Sequence, residues 1–122
     1  MTKDIVALGA ELTLLDAARR VAGTRHRYYP VVNEERKLIG LLPAHVIETA
    51  ARENALEQPL AGHVQPWPVV ARTTDDMRDV IRRLAKAGVD RCPVVDAEER
   101  AAGFVSPADV LRVRMAALGD IE

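Results

Sequence analysis

The sequence has few of the residues that would indicate a disulfide-stabilised, membrane-spanning or metal-binding protein. Cys92 is the only cysteine, so no disulfide can form within the chain, which is consistent with a reducing compartment. No apolar run approaches the roughly 20 residues that a membrane helix requires, so we expect no insertion into a bilayer. The three histidines are far apart in the sequence, and no metal-ligand spacing is visible.

Charge of one sign and aromatic side chains are also scarce. The 17 lysines and arginines are balanced by 18 aspartates and glutamates, which gives a net charge of −1, and the basic residues are scattered among acids. Aromatic residues make up 3% of the chain. This composition predicts no nucleic-acid partner. The apolar fraction of 48% suffices for one domain, or for two small halves that share a core.

One pattern occurs twice in the chain, at a separation of 63 residues. Apolar residues recur at helical spacing in 14–21 and again at the same positions in 77–84. Residue pairs that are identical at this separation include Asp16 and Asp79, Pro30 and Pro93, Val31 and Val94, Val32 and Val95, and Gly40 and Gly103. Agreement at a fixed register indicates an internal repeat.

Each copy predicts a β-α-β-β-α unit, and the fold class is α+β with α/β-type repeats. The predicted strands are 5–8, 28–32 and 38–42 in the first copy, and 69–71, 92–95 and 101–105 in the second. The predicted helices are 14 to about 22 and 44–52, a third capped by Thr73 or Thr74 and ending at Gly88, and a last one from Pro107 to about Leu118. We predict unit boundaries at 1–58 and 69–122, with a linker at 59–68.

The two copies differ where their last helix begins. The second copy reads G-F-V-S-P-A-D over 103–109, whereas the first has Pro43 in place of the serine and Val46 in place of the aspartate. A hydroxyl and a carboxylate beside the amides of a helix N-terminus suit a polar ligand, because those amides lack partners and the helix dipole is positive there. Ser106 and Asp109 are equally typical of a helix cap, and both interpretations stay open.

The two Pro-Val-Val stretches, the two repeated glycines and the Gly-h-h-Ser-x-x-Asp pattern of the second copy together resemble a tandem pair of CBS domains, often called a Bateman module. The resemblance covers about residues 4–117. It implies two units packed with pseudo-twofold symmetry, and a homodimer that forms a flat disc of four units. It also implies a cytoplasmic location, either as a separate protein or as the cytosolic domain of a membrane protein. The implied role is to regulate an attached or partner enzyme, channel or transporter.

The resemblance further implies an adenine nucleotide or adenosyl ligand (AMP, ADP, ATP or S-adenosylmethionine) in the cleft between the units. Family roles map onto Ser106 as the contact to phosphate or ribose, and onto Asp109 as the acceptor from the ribose hydroxyls. The other candidate contacts are Ile5, Val6, His26, Arg27, Tyr28, Pro30, Phe104, Val105, Pro107 and Ala108. Because Pro43 has no hydroxyl and Val46 cannot bind a diol, we expect at most one nucleotide site per chain.

Three functions of different classes remain in competition. No nucleophile–base pair or carboxylate pair is legible, so we expect a regulatory module that is not an enzyme and requires no cofactor. The alternative is a structural dimerisation module with no ligand, which the apolar residues Pro43 and Val46 support in part. An enzyme acting on nucleotides is a weaker alternative. The ending at 109–114 looks like that of CBS pairs attached to bacterial chloride channels and some membrane proteases.

Two single residues carry further expectations. Trp67, the only tryptophan, lies between two prolines. We expect it to cover the core or an interface, and the alternative is that it stacks on a ligand. Cys92 precedes a proline at the start of a predicted strand, so we expect a small buried thiol.

Overall fold

The computed structural model describes residues 2–119, which form a mixed α/β fold with four helices and two small sheets. Along the chain the elements are β1 (Leu8–Gly9), α1 (Leu14–Val21), β2 (Tyr28–Val32), β3 (Leu38–Pro43), α2 (Ala44–Arg52), a 3₁₀ turn (Leu60–His63), β4 (Ala71–Arg72), α3 (Met77–Ala87), β5 (Cys92–Val95), β6 (Ala101–Val105) and α4 (Pro107–Gly119). This is the predicted β-α-β-β-α order twice over. Among these residues, no helix combines the length and apolarity that crossing a bilayer demands.

Strand pairing confirms the internal repeat. Strands β1 and β2 are parallel, with Leu8 opposite Val31, and β4 and β5 are parallel, with Ala71 opposite Val94. These pairs differ by the same 63 residues in both partners. A change of one residue in register would turn each side chain to the other face of its sheet, so the two copies present equivalent faces.

The N-terminal unit comprises residues 6–67 and 99–101 and contains the sheet β1-β2-β3. Its buried apolar cluster consists of Leu8, Leu14, Ala17, Tyr29, Val31, Leu42, Ile47, Ala50 and Leu60. A close approach fixes Gly40, since a Cβ there would lie 2.6 Å from the Gln65 carbonyl oxygen. The neighbouring Leu41 exchanges both backbone hydrogen bonds with Gln65, at 2.9 and 2.8 Å, which explains the need for glycine.

The C-terminal unit comprises residues 2–5, 68–98 and 102–119, and its sheet has the order β4-β5-β6. Thr2 exchanges backbone hydrogen bonds with Phe104 at 2.9 and 2.8 Å, so the start of the chain is paired within this unit. Helix α3 ends at Gly88 in a left-handed conformation (φ 73°), as glycine permits. Each compact unit is built from segments that are not continuous in the sequence. The predicted boundaries 1–58, 59–68 and 69–122, which assume continuous units, therefore stay a prediction.

Several local predictions are wrong in detail. The strand predicted at 5–8 is reduced to Leu8–Gly9, because only these residues meet β2, and the strand predicted at 69–71 is Ala71–Arg72. Neither Thr73 nor Thr74 caps α3. Asp76 does so, accepting a hydrogen bond from the Arg78 amide at 2.8 Å.

Candidate functional site

Helix α4 begins at residues that are typical of a helix N-terminus. Strand β6 ends at Val105, Ser106 follows, and Pro107 is the first helical residue. Proline is well tolerated at that position because its ring fixes φ and the missing N–H would have lacked a helical partner. The Val110 amide donates to the Ser106 carbonyl at 3.1 Å, which closes the first turn. Ser106 and Asp109 are thereby brought together.

Ser106 and Asp109 form a reciprocal capping box. The Ser106 amide and hydroxyl donate to Oδ2 of Asp109 at 2.9 and 3.0 Å, and the Asp109 amide donates to Oγ of Ser106 at 3.2 Å. This arrangement satisfies one orphan amide of the helix and holds the carboxylate in one orientation. The helix-cap interpretation of the two residues is confirmed. It is compatible with ligand binding, because a carboxylate has acceptor directions on both oxygens.

Asp109 is the one charged side chain that is buried among residues 2–119, with 4% of its surface exposed. Burial by itself raises the pKa of a carboxyl group, but the hydrogen bonds from the Ser106 amide and hydroxyl are among the interactions that hold the pKa of Asp109 below its ordinary value. Arg112, one turn further along α4, donates to Oδ1 of Asp109. Asp109 is therefore an ionised and oriented acceptor at neutral pH.

The remaining candidates of the C-terminal unit differ in accessibility. Pro107 and Ala108 are exposed on the first turn of α4, and Ile5 and Phe104 are half-buried. Val105 lies in the core, with 1% of its surface exposed. Its side chain is therefore packed among core residues, and only its backbone could face a ligand.

The aromatic candidates of the N-terminal unit contact other aromatic rings. The Tyr28 ring lies 4.7 Å from that of Trp67, tilted by 60°. His26 meets Tyr29 edge-on, with ring centroids 5.7 Å apart. Trp67 thus packs on Tyr28 within its unit, in line with the packing interpretation.

Arg27, Pro30 and Val6 complete the candidates of the N-terminal unit. Arg27 has an exposed side chain, and its carbonyl accepts from the Ala44 amide at 2.8 Å. Pro30 is buried within β2, and Val6 is half-buried against the apolar cluster of the unit. The predicted contact residues therefore divide between the two units, and their joint role at one ligand stays a prediction.

The start of α2 lacks the polar groups found at the start of α4. Pro43 is the N-cap residue and makes no side-chain hydrogen bond to the helix. Val46, at the position equivalent to Asp109, packs against the apolar cluster. The Ala44 amide is already used by the Arg27 carbonyl. At the two positions equivalent to Ser106 and Asp109, this helix start therefore offers no side-chain oxygen to a ligand.

The described residues contain neither a reactive thiol nor a cluster of metal ligands. Cys92 is fully buried, and burial raises the pKa of its thiol to about 11, so it is a neutral core residue rather than a thiolate nucleophile at neutral pH. Over residues 2–119, no three His, Cys, Asp or Glu side chains come together in a group that could hold a metal ion.

Sequence reasoning missed two contacts. Arg112 is three positions after Asp109, a spacing that places oppositely charged side chains on one helix face and could have indicated the ion pair. The Tyr28–Trp67 contact joins residues distant in sequence, and no local signal predicts it.

The CBS domain family model matches residues 1–47 and 66–116. The chain therefore belongs to the CBS domain family, and its two matches make it a tandem CBS pair. Domains of this family are generally regulatory modules without catalysis.

Two relatives illustrate the contexts in which similar pairs occur. The chain is 32% identical over 113 residues to an uncharacterized protein of Methanocaldococcus jannaschii, covering 92% of this chain and 41% of that protein. It is 29% identical over 113 residues to the choline transport ATP-binding protein OpuBA of Bacillus subtilis, covering 93% of this chain and 29% of that protein. The chain thus spans less than half of either relative.

A similar solved structure is the cytosolic domain of the Mg²⁺ channel MgtE in complex with ATP. It has a TM-score of 0.77 and 30% sequence identity, and the match covers 93% of this chain and 46% of that one. The agreement supports the fold of the chain as two CBS copies.

Proposed function

We propose that this CBS pair binds an adenine nucleotide or adenosyl ligand and thereby regulates an attached or partner protein. The observation that carries the proposal is Asp109, a buried, ionised carboxylate at a helix N-terminus. Keeping a charge away from water is costly unless it has partners, and Ser106 and Arg112 are such partners. In this proposal Asp109 accepts from the two ribose hydroxyls, and Ser106 contacts ribose or phosphate.

Phosphate binding follows from the same helix start. Exposed Ala108 lies on the first turn of α4, where the positive end of the helix dipole favours an anion. Ile5, Phe104 and Pro107 are accessible in the same unit. Val6, His26, Arg27, Tyr28 and Pro30 of the N-terminal unit and Val105 of β6 remain proposed contacts to the ligand.

ATP is the first ligand to test, because the similar MgtE domain was solved with ATP. AMP, ADP and S-adenosylmethionine share the ribose diol that Asp109 would bind, so each is an alternative. We propose a transport protein as the regulated partner, since OpuBA and MgtE are both transport proteins. A cytosolic position follows from the same analogy.

Thermal unfolding tests the proposal. ATP at 100 times its dissociation constant should raise the free energy of unfolding of wild type by about 2.7 kcal/mol. For a chain of this size this corresponds to a rise of roughly 10 °C in Tm. Asp109→Asn should abolish that rise. AMP, ADP and S-adenosylmethionine are measured in parallel.

Asp16→Asn is the matched control. Asp16 forms the same capping box with Thr13 at the start of α1, with distances of 3.0 and 3.2 Å. It should lower the Tm without ligand but leave the ATP-induced rise unchanged. Equal loss of the ATP effect in both variants would show that capping, not binding, is the role of Asp109.

A structural dimerisation module is the second candidate, and α4 gives it a specific observation. Leu111, Met115 and Leu118 are each 60% exposed and lie on one side of the helix. Their spacing of four and then three residues is nearly symmetric, so an antiparallel α4 of a second copy could place Leu111 against Leu118. A folded dimer whose Tm ignores every nucleotide would favour this candidate.

A further inference from the structure

A pronounced excess of positive charge lies in residues 19–27, which we call the basic segment. It contains four arginines and one histidine but no acidic residue, which leaves 13 lysines and arginines in the rest of the chain against all 18 acidic residues. All five of its basic side chains are exposed, namely Arg19, Arg20, Arg25, His26 and Arg27. The molecule therefore carries a cationic surface segment on an otherwise acidic chain.

Hydrogen bonds fix the backbone of the basic segment. The Thr24 amide and hydroxyl donate to the Val21 carbonyl at 2.9 and 2.6 Å, which closes the turn directly after α1. The Arg27 carbonyl accepts from the Ala44 amide at 2.8 Å. The arginines are thus attached to an ordered backbone, and a partner that binds them has little further chain entropy to remove.

The basic segment lacks an acidic residue that the second copy supplies. Arg83 pairs with Asp75 at 3.2 Å and donates to the Val70 carbonyl at 2.8 Å. The equivalent arginine of the first copy is Arg20, and Leu12 stands at the position of Asp75. Arg20 therefore has no counterpart of this ion pair.

The other repeated arginine differs because its aspartate is used elsewhere. Arg82 pairs with Asp79, whereas Asp16, the equivalent of Asp79, accepts from the amide and hydroxyl of Thr13 at 3.2 and 3.0 Å. Within residues 2–119, no carboxylate forms an ion pair with any arginine of the basic segment. The charge of this segment is therefore not neutralised by contacts with the described chain.

The chemistry of the basic segment selects among anionic partners. A small anion is usually held in a concave pocket by a few converging polar groups, whereas these side chains are spread over an exposed helix end and loop. The core of a protein interface is poor in charge and rich in large apolar anchors, whereas the exposed uncharged residues of the segment are Ala22 and Gly23. A broad anionic surface requires neither a pocket nor an anchor, and lipid head groups provide such a surface.

We propose that the basic segment docks on the anionic head groups of a lipid bilayer. The setting rests on the proposed function, in which a transport protein keeps the CBS pair beside a membrane. Each arginine close to such a surface strengthens binding about fivefold, so the four arginines together contribute about 600-fold. This attraction is weak for a free protein but sufficient to orient a domain that is already held near the bilayer.

Cosedimentation of the full chain with lipid vesicles at about 0.05 M salt tests the proposal. Wild type should bind vesicles of phosphatidylglycerol mixed with phosphatidylcholine but not vesicles of phosphatidylcholine alone, and about 0.5 M salt should release it. Arg19→Gln combined with Arg20→Gln should weaken binding about 25-fold. Adding Arg25→Gln should weaken it about fivefold more. Wild type that binds both kinds of vesicle equally, or neither, would overturn the proposal.

The repeat supplies the matched control. Arg82→Gln combined with Arg83→Gln removes the same charge at equivalent positions, but from arginines that are already ion-paired. This variant should weaken vesicle binding no more than about twofold, because a paired arginine presents little net charge to a surface. Circular dichroism verifies that each variant is folded. Equal weakening by the two double variants would show that net charge rather than the basic segment governs binding, and would refute the proposal.

Two parallel measurements complete the test. Binding of wild type to immobilised polyglutamate but not to anionic vesicles would identify an acidic protein partner and refute lipid docking. Calorimetric titration with ATP separates this inference from the proposed function, because Arg19 and Arg20 are not among the proposed ligand contacts. ATP binding without vesicle binding would refute the docking and leave the ligand site standing. Vesicle binding without ATP binding would support the docking and refute the ligand site.

Discussion

The first turns of α2 and α4 stand at equivalent positions of the repeat but carry opposite chemistry. Helix α2 follows Pro43, and Val46 of its first turn packs against the apolar cluster. Helix α4 follows Ser106, and the buried Asp109 closes a capping box. The paired strands keep the same register in both copies. The repeat therefore preserves the architecture, while the difference between the two helix starts is concentrated in two positions of one helix turn.

The largest expected effect comes from placing the aspartate of α4 into α2. Val46→Asp should lower the free energy of unfolding by about 1–3 kcal/mol, because a carboxylate replaces an apolar side chain packed against the core. Urea unfolding measures the change. His45→Asp is the control on the exposed face of the same turn and should stay within about 0.5 kcal/mol of wild type. If Val46→Asp left the free energy of unfolding unchanged, the packing of Val46 would not explain the difference between the two copies.

A smaller change in stability is expected when the serine of α4 is also placed at the start of α2. Adding Pro43→Ser to Val46→Asp should recover about 1 kcal/mol, since a serine N-cap and an aspartate at the third helical position form the capping box seen at α4. The same urea experiment measures the recovery as a double-mutant cycle. A double variant no more stable than Val46→Asp would show that the α2 start cannot accept this cap.

The smallest effect is the acid dependence of stability. Burial raises the pKa of Asp109, but the opposing interactions, which include the hydrogen bonds from Ser106, hold the folded-state pKa below its ordinary value of 3.8. The stabilisation by this carboxylate is therefore complete above about pH 4 and is lost as the pH falls through the lower folded-state value. The free energy of unfolding of Asp109→Asn should fall less steeply than that of wild type below pH 4. Identical slopes in urea experiments would contradict the assigned role of the carboxylate.

Local signals predicted much of the fold. Helix α2 is observed at Ala44–Arg52 as predicted, and Pro43 immediately precedes its first helical residue. Gly88 ends α3 as predicted. The N-cap of α3 was misassigned because four consecutive residues, 73–76, can all act as caps. The Asp75 carboxylate accepts a hydrogen bond from the Arg72 amide at 2.8 Å, and Asp76 is the residue that caps α3.

The candidate site was less predictable than the fold. The Ser106–Asp109 pair was legible because its residues are three positions apart on one turn. Whether Asp109 is buried and what Tyr28 contacts depend on packing between distant segments, as the Trp67 ring shows. Sequence periodicity does not contain that information.

Calorimetric titration with ATP tests most directly the central claim, that only the start of α4 serves a ligand. The account predicts one ATP bound per chain in wild type and in Asp16→Asn, and none in Asp109→Asn. Two ATP molecules per chain, or undiminished binding to Asp109→Asn, would contradict it.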